Sequence, residues 1–325
     1  MKNSFKIAAV FIGTFVGAGF ASGQEILQYF AVYGKAGIAG AVISSAMFGF
    51  FCYCTMYNLL TMGESLYLKE VNRFAFFKYL YVAFMVMMFC TMITAAGETV
   101  KSIVGVPKIY GVAVTLILCV FILYFGSDGM VKLNVFITPL IIAGIIIICI
   151  INIYESTVST MAGAEVSKSA VIYVSYNTIT LSSMAAGLGK MVSDKKTALK
   201  ASAVSAFSIF LLIICMLYVL YGMTYTSSEI PVLDALSNKF SLIYIPVLIS
   251  AMVTTAVSNG YGVMCNFKKN KIVCLVCLCL ISLVFSIFRF SFIVRYFYKF
   301  FGYIGIFVML DNFYIFIKNK KFGVK

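Results

Sequence analysis

Charge is scarce in this chain, and histidine is missing altogether. Only 11% of the 325 residues are charged, where a soluble domain carries about 25%. With no imidazole, the commonest proton relay and metal ligand is gone. No nucleophile–base pair, no cluster with metal-ligand spacing and no phosphate-cradling glycine loop stands out either. The expectation is therefore of a protein that is not an enzyme and has no resident cofactor. Polar linkers and Pro/Ser-rich stretches are also lacking, which makes residues 1–325 one domain.

What fills the chain is apolar. Hydrophobic residues make up 62% of it, and the mean hydropathy is +1.04. Apolar stretches fall near residues 7–31, 36–61, 76–100, 109–126, 133–153, 170–190, 201–223, 241–264, 272–289 and 296–317. Each is long enough to be read as a membrane-spanning helix, because a bilayer core of about 30 Å takes roughly 20 residues at 1.5 Å each. The fold class expected is an all-α membrane protein of about ten transmembrane helices.

The net charge of +14 does not point to nucleic acid. The basic residues sit in short clusters between apolar stretches, with no basic face interleaved with aromatics. Cys274, Cys277 and Cys279 resemble a ligand spacing but lie inside an apolar stretch, where thiols act as small hydrophobes. Near the start, Lys2 and Lys6 precede an apolar run that ends in the small residues of 20–23, as a cleavable leader would. Hydrophobicity resumes at Ile26 and continues to Tyr33, which favours a first span over a leader.

An even number of spans puts both termini on one side. Placing them in the cytoplasm gathers Lys2, Lys6, Lys69, Arg73, Lys78, Lys132, Lys190, Lys195, Lys196, Lys200, Lys268, Lys269, Lys271, Lys318, Lys320, Lys321 and Lys325 inside. That is the positive-inside pattern. Arg289, Arg295 and Lys299 run against it.

Ten spans divide into five plus five, approximately residues 1–155 and 156–325, with opposite topology in the two halves. The first span of each half is unusual. Span one carries Gly17, Gly19 and Gly23 near its middle; span six carries the polar string 176–183 followed by Gly187 and Gly189. Such residues weaken a helix or compete for its backbone. Matching interruptions in two halves are the sequence mark of a transporter binding site.

With these residues in view, the chain resembles the amino acid–polyamine–organocation superfamily, whose fold is the LeuT-type inverted repeat with helices 1 and 6 interrupted. Gly17-Ala18-Gly19 looks like that family's Gly-X-Gly break. The string from Gly17 to Glu25 looks closest to a bacterial branch of amino-acid permeases. The resemblance implies a multi-pass protein of the bacterial inner membrane. It implies that Gly13 and Val16 offer carbonyls to a sodium ion, and that Ala251, Thr254 and Thr255 complete its shell. Thr180-Leu181-Ser182 resembles the family's unwound substrate segment.

On the same resemblance, a half-helix after Gly19 would offer free N–H groups and a positive dipole end to a substrate carboxylate. Gly17, Ala18, Gly19 and Phe20 would line that side. The carbonyls of Ile179 and Thr180, with the Ser182 hydroxyl, would take an ammonium group. Phe20 stands where some members supply an amide to a second sodium, so one sodium is expected. Ala185 replaces a bulky aromatic that walls the pocket in many members.

Charges inside spans are functional candidates. Glu25 follows the break in span one and could contact a cationic substrate, carry a proton or face a vestibule. Glu64 and Glu98 lie near span ends and read as interfacial. Asp311 could pair with a nearby lysine, and Lys132 reads as a side chain snorkelling from the edge of span five. The expectation is a secondary transporter for amino acids or related zwitterions and amines, coupled to sodium. Proton coupling, or a receptor of the same fold that senses an amino acid as germinant receptors do, are the alternatives.

Overall fold

The structure, a computed structural model, describes residues 2–71, 73, 75–152, 163–184, 187–221, 228–236, 238–267 and 270–322. All regular structure among them is helical. In chain order the elements are α1 (Lys2–Phe15), α2 (Ala18–Ala21), α3 (Gln24–Tyr29), α4 (Gly37–Val71), α5 (Ala75–Val104), α6 (Lys108–Tyr124) and α7 (Gly126–Ile151). They continue with α8 (Gly163–Met184), α9 (Lys195–Leu220), α10 (Pro231–Ala235), α11 (Asn238–Asn266), α12 (Lys271–Phe285), α13 (Phe290–Phe292) and α14 (Tyr298–Phe322). A wide turn at Ile293–Phe297 joins the last two into one rod.

Every apolar stretch read from the sequence falls on a helix or a broken helix. Six segments are long and apolar enough to cross a bilayer: Ala31–Val71, Lys78–Val104, Gly126–Ile151, Lys195–Leu220, Phe240–Asn266 and Phe290–Lys321. Shorter apolar helices cover Asn3–Phe15, Lys108–Tyr124 and Lys271–Phe285. The largest difference from expectation is in α4, which runs ten residues past the apolar stretch ending at 61 and bends at Gly63. The extension carries Glu64, Lys69 and Glu70 and so has no need of lipid. Pro139 and Pro246 lie inside α7 and α11, as membrane helices tolerate when neighbours satisfy the freed carbonyls.

The outer surface is apolar at helical spacing. Val114, Ile117 and Phe121 on α6 are exposed, as are Ile272, Val276, Leu280 and Leu283 on α12. In water such rows would be sticky patches; in lipid they are the ordinary boundary. This is a multi-pass membrane protein.

Lipid removes the hydrophobic drive between helices, so close packing and interhelical hydrogen bonds take over. Both are present. A methyl group added at Gly49 of α4 would lie 2.7 Å from Ala206 of α9. Gly305 of α14 rides on the backbone of Ser175 in α8, leaving no room for a side chain. The principal contacts pair α5 with α11, α8 with α14, α4 with α8 and α9, α1 with α7 and α9, and α7 with α11.

Between α4 and α14 runs a buried amide ladder. The Asn58 amide donates to Asn312 Oδ1 at 3.0 Å, Asn312 donates to Thr55 at 2.6 Å, and Asn319 donates to Asn58 at 3.0 Å. All four residues are buried. Toward one end of the same pair, Arg73 bonds Asp311 and Glu70, and Lys318 reaches Glu70 at 3.2 Å. The Asp311 partner is thus an arginine from the α4–α5 turn and not the lysine expected.

Candidate functional site

The break in the first span sits where the glycines predict it. α1 stops at Phe15, and Gly17 lies extended at φ −90°, ψ −167° before α2 begins. After four residues the chain turns again at Ser22 and Gly23. Gly23 holds φ +86°, a left-handed conformation that costs a residue with a Cβ. Then α3 starts. The half-helix expected after Gly19 therefore begins at Ala18 and is cut short, so its dipole is weak. One of its early N–H groups, that of Ala18, already meets the Met92 sulfur at 3.1 Å.

The end of α1 is the more strongly charged feature. A helix leaves its last carbonyls without intrahelical donors, equivalent to about half a negative charge. Three carbonyls at this end surround a single hydroxyl: Thr255 Oγ1 lies 3.1 Å from Gly13 O, 3.2 Å from Thr14 O and 3.5 Å from Val16 O. One hydroxyl has one proton to give. The surplus of acceptors in a fully buried place suits a small hard cation. Of the expected sodium set, Gly13, Val16 and Thr255 come together here. Ala251 and Thr254 meet each other instead: Thr254 Oγ1 bonds Ser250 O and Ala251 O, each at 3.0 Å, within α11. Sequence reasoning missed Thr14 and also Asn134 of α7, whose amide oxygen, with the Thr138 hydroxyl, would have to move to admit a side chain at Gly13.

Span six differs from expectation. α8 runs unbroken through the whole string 176–183 to Met184. The chain is a tight 3₁₀ turn again at Gly189–Met191; Ala185 lies outside the described residues. Ile179, Thr180 and Ser182 are buried on a continuous helix, so the carbonyls of Ile179 and Thr180 lie within α8 and are not offered by an unwound strand. The polar side chains explain why the helix survives. Asn177 donates to Tyr173 O and Thr178 to Val174 O, both at 2.9 Å, satisfying themselves on the preceding turn.

Glu25 is the centre of the second cluster. It is 2% exposed and is the one charged side chain buried among the described residues. The Tyr176 hydroxyl donates to its Oε2 at 2.8 Å, and the Tyr173 hydroxyl faces the same carboxylate. The rings of Tyr29, Tyr173, Tyr176 and Tyr298 form a connected group, with centroids 5.4 Å apart for Tyr29–Tyr173, 5.6 Å for Tyr173–Tyr176 and 5.2 Å for Tyr176–Tyr298. The turn at Gly23 folds Glu25 back over Gly19, where a side-chain carbon would overlap the carboxylate. A substrate carboxylate placed at Gly19 would thus meet another. Two like charges 4 Å apart repel by about 4 kcal/mol at an effective dielectric of 20.

Ala18, Gly19 and Phe20 are fully buried, and the Phe20 ring packs 6.0 Å from Phe15. Outside the cluster, Gln24 bonds Ser228 O at 2.5 Å and Tyr244 bonds Ala21 O at 2.8 Å, tying the broken span to the segment before α10 and to α11. Glu98 pairs with Lys108 at 3.0 Å, and Lys132 is exposed. The tyrosines were readable in part: Tyr29 lies one turn after Glu25, and Tyr173 and Tyr176 share a face of α8. Tyr298 carried no local signal.

No family model matches the chain. Two proteins of Bacillus subtilis (strain 168) are similar in sequence. The uncharacterized membrane protein YkvI is 29% identical over 147 residues, covering 43% of this chain and 42% of that protein; the match thus spans less than half of that relative. The uncharacterized protein YyaD is 22% identical over 334 aligned residues, covering 95% and 96%. Among solved structures, MhsT in complex with L-phenylalanine superposes with a TM-score of 0.69 at 15% identity, covering 97% of this chain and 88% of that one. A Na+-coupled sialic acid symporter in a substrate-bound outward-open state gives 0.63 at 11% identity, covering 94% and 76%. At such identities the likeness is one of fold, and the fold is of the LeuT type.

Proposed function

We propose that this chain is a secondary active transporter, not an enzyme, that carries amino acids or related small zwitterions and amines with sodium as the coupling ion. The observation that carries the reading is the end of α1, where three carbonyls converge on Thr255 Oγ1. Sodium is held there by Gly13, Val16 and Thr255, with Thr254 adjacent on α11 and Ala251 one turn before it. The neighbouring substrate site is formed by Gly17, Ala18, Gly19, Phe20 and Glu25 on the broken span and by Ile179, Thr180 and Ser182 on α8.

Packing supports a five-plus-five arrangement of ten passes with inverted halves. If α1, α4, α5, α6 and α7 are passes one to five, and α8, α9, α11, α12 and α14 passes six to ten, equivalent pairs recur. α1 with α7 matches α8 with α14, and α1 with α9 matches α8 with α4. Rocking of one bundle around the shared site would give alternating access. The lysine-rich loops support an orientation with both termini in the cytoplasm.

A second reading, proton coupling, is favoured by one observation: Glu25 is buried without a basic partner among the described residues. Thermal unfolding in sodium and in potassium separates the two. A ligand bound only by the folded state stabilises by about 2.7 kcal/mol at a hundredfold excess over its Kd. Sodium should raise the Tm over potassium in the wild type and in Thr254→Val, and Thr255→Val should erase the difference. A Thr255→Val protein that still responds to sodium would remove the coupling assignment.

A further inference from the structure

We infer that the solute of this site is a small amine without a carboxylate, because Glu25 already provides the carboxylate that an amino acid would bring. The inference rests on the transport reading above and narrows its substrate class.

Position comes first. Glu25 is not a side chain reaching in from a distant helix; the turn at Gly23 returns it onto Gly19, against which no side chain fits. An amino acid docked with its carboxylate at this turn would have to displace Glu25 or lie against it.

Charge is the second argument. Glu70, Glu98, Glu229 and Asp311 each have a lysine or arginine in ion-pair contact. Glu25 has none among the described residues, although it is the most deeply buried. A buried charge is stable only when paired and hydrogen-bonded. Held as a carboxylate, Glu25 lacks one partner, and that partner is a cation.

The surroundings describe that cation. The hydroxyls of Tyr29 and Tyr298 are buried and have no hydrogen-bond partner among the described residues. A primary ammonium has three N–H donors, which match one carboxylate oxygen and two hydroxyl oxygens. Aromatic faces attract cations, most of all when desolvated, and four tyrosine rings are clustered here. An organic ammonium gains both from the hydroxyl oxygens and from the rings.

The test compares amines with the amino acids that differ from them by one carboxylate. The full chain in lipid nanodiscs is titrated with phenethylamine and phenylalanine, with isobutylamine and valine, and with methylammonium, and followed by thermal shift and calorimetry. The amine of each pair should bind at least tenfold more tightly than its amino acid. Glu25→Gln should weaken amine binding at least tenfold while leaving the Tm of the empty protein unchanged or raised, and Tyr298→Phe should weaken it less. Equal or tighter binding of the amino acids, an amine affinity that Glu25→Gln leaves untouched, or no response to any of the three amines would overturn the inference. So would proton-driven uptake that Glu25→Gln abolishes while amine and amino acid bind alike. In each of those cases a sodium-dependent Tm shift erased by Thr255→Val would leave the transport reading standing; its absence would take that reading down as well.

Discussion

The first helix of the chain and the helix that opens its second half were both expected to unwind, and only the first does so where expected. Around Gly17 the helix is abandoned: α1 ends, its carbonyls are left to Thr255, and two short helices follow with a second turn between them. Through Asn177 and Thr178, α8 continues without interruption. The two strings look equally unfavourable on a propensity scale. Glycine has nothing with which to compensate. Asn and Thr bond their own helix one turn back and so tolerate burial in it. The lesson is that glycine-rich and hydroxyl-rich segments of a membrane helix are not equivalent signals of a break.

Substitutions can break or sharpen that contrast. The largest effect is expected at Gly19. A methyl group there overlaps the Glu25 carboxylate, and overpacking of this kind costs about 1–3 kcal/mol. Gly19→Ala should lower the Tm and abolish solute binding together; a Gly19→Ala protein that keeps both would mean the turn at Gly23 is not held as described. Thr178→Val should be far milder, at most about 1 kcal/mol, since it removes one bond to Val174 O. A larger loss on thermal unfolding would show that the hydroxyl serves something beyond its own helix.

The smallest effect, outside the membrane, sets the scale for the other two. Asp194 caps α9 by accepting the Thr197 N–H at 2.6 Å. That backbone hydrogen bond holds its carboxyl below the usual range. A lowered carboxylate contributes its stability above the ordinary pKa and loses it as pH falls through the depressed one. Asp194→Ala should therefore lower the Tm slightly at neutral pH, and the gap should close in acid. A gap independent of pH would mean that the charge contributes nothing to the cap.

Much of the architecture was legible because lipid imposes long apolar runs, and the described residues of each run lie on a helix or a broken helix. The break at Gly17 was legible because three glycines within seven residues leave a helix little to stand on. The fate of residues 176–183 was not, since it depends on side-chain bonds that composition does not reveal. Glu25 announced itself as a charge inside a span. Its setting did not, because Tyr176 lies 151 residues away in sequence and Tyr298 is more distant still. Of the residues expected to hold sodium, Thr255 points across to α1, whereas Thr254 turns back along α11, a difference of one position and about 100° around the helix.

The amide ladder between α4 and α14 has a consequence for how the molecule can move. Asn58 spends its amide on Asn312, and both Asn312 and Asn319 return donors to α4. Such a set of bonds works at one register only. A piston stroke of α14 by one turn, about 5.4 Å, would strand several amides with nothing to bond in a dry interior. Sliding is thereby forbidden and swinging is not. α4 and α14 are pinned as a pair, and the Arg73–Asp311 contact beside Asn312 adds a second tie from beyond the bend at Gly63.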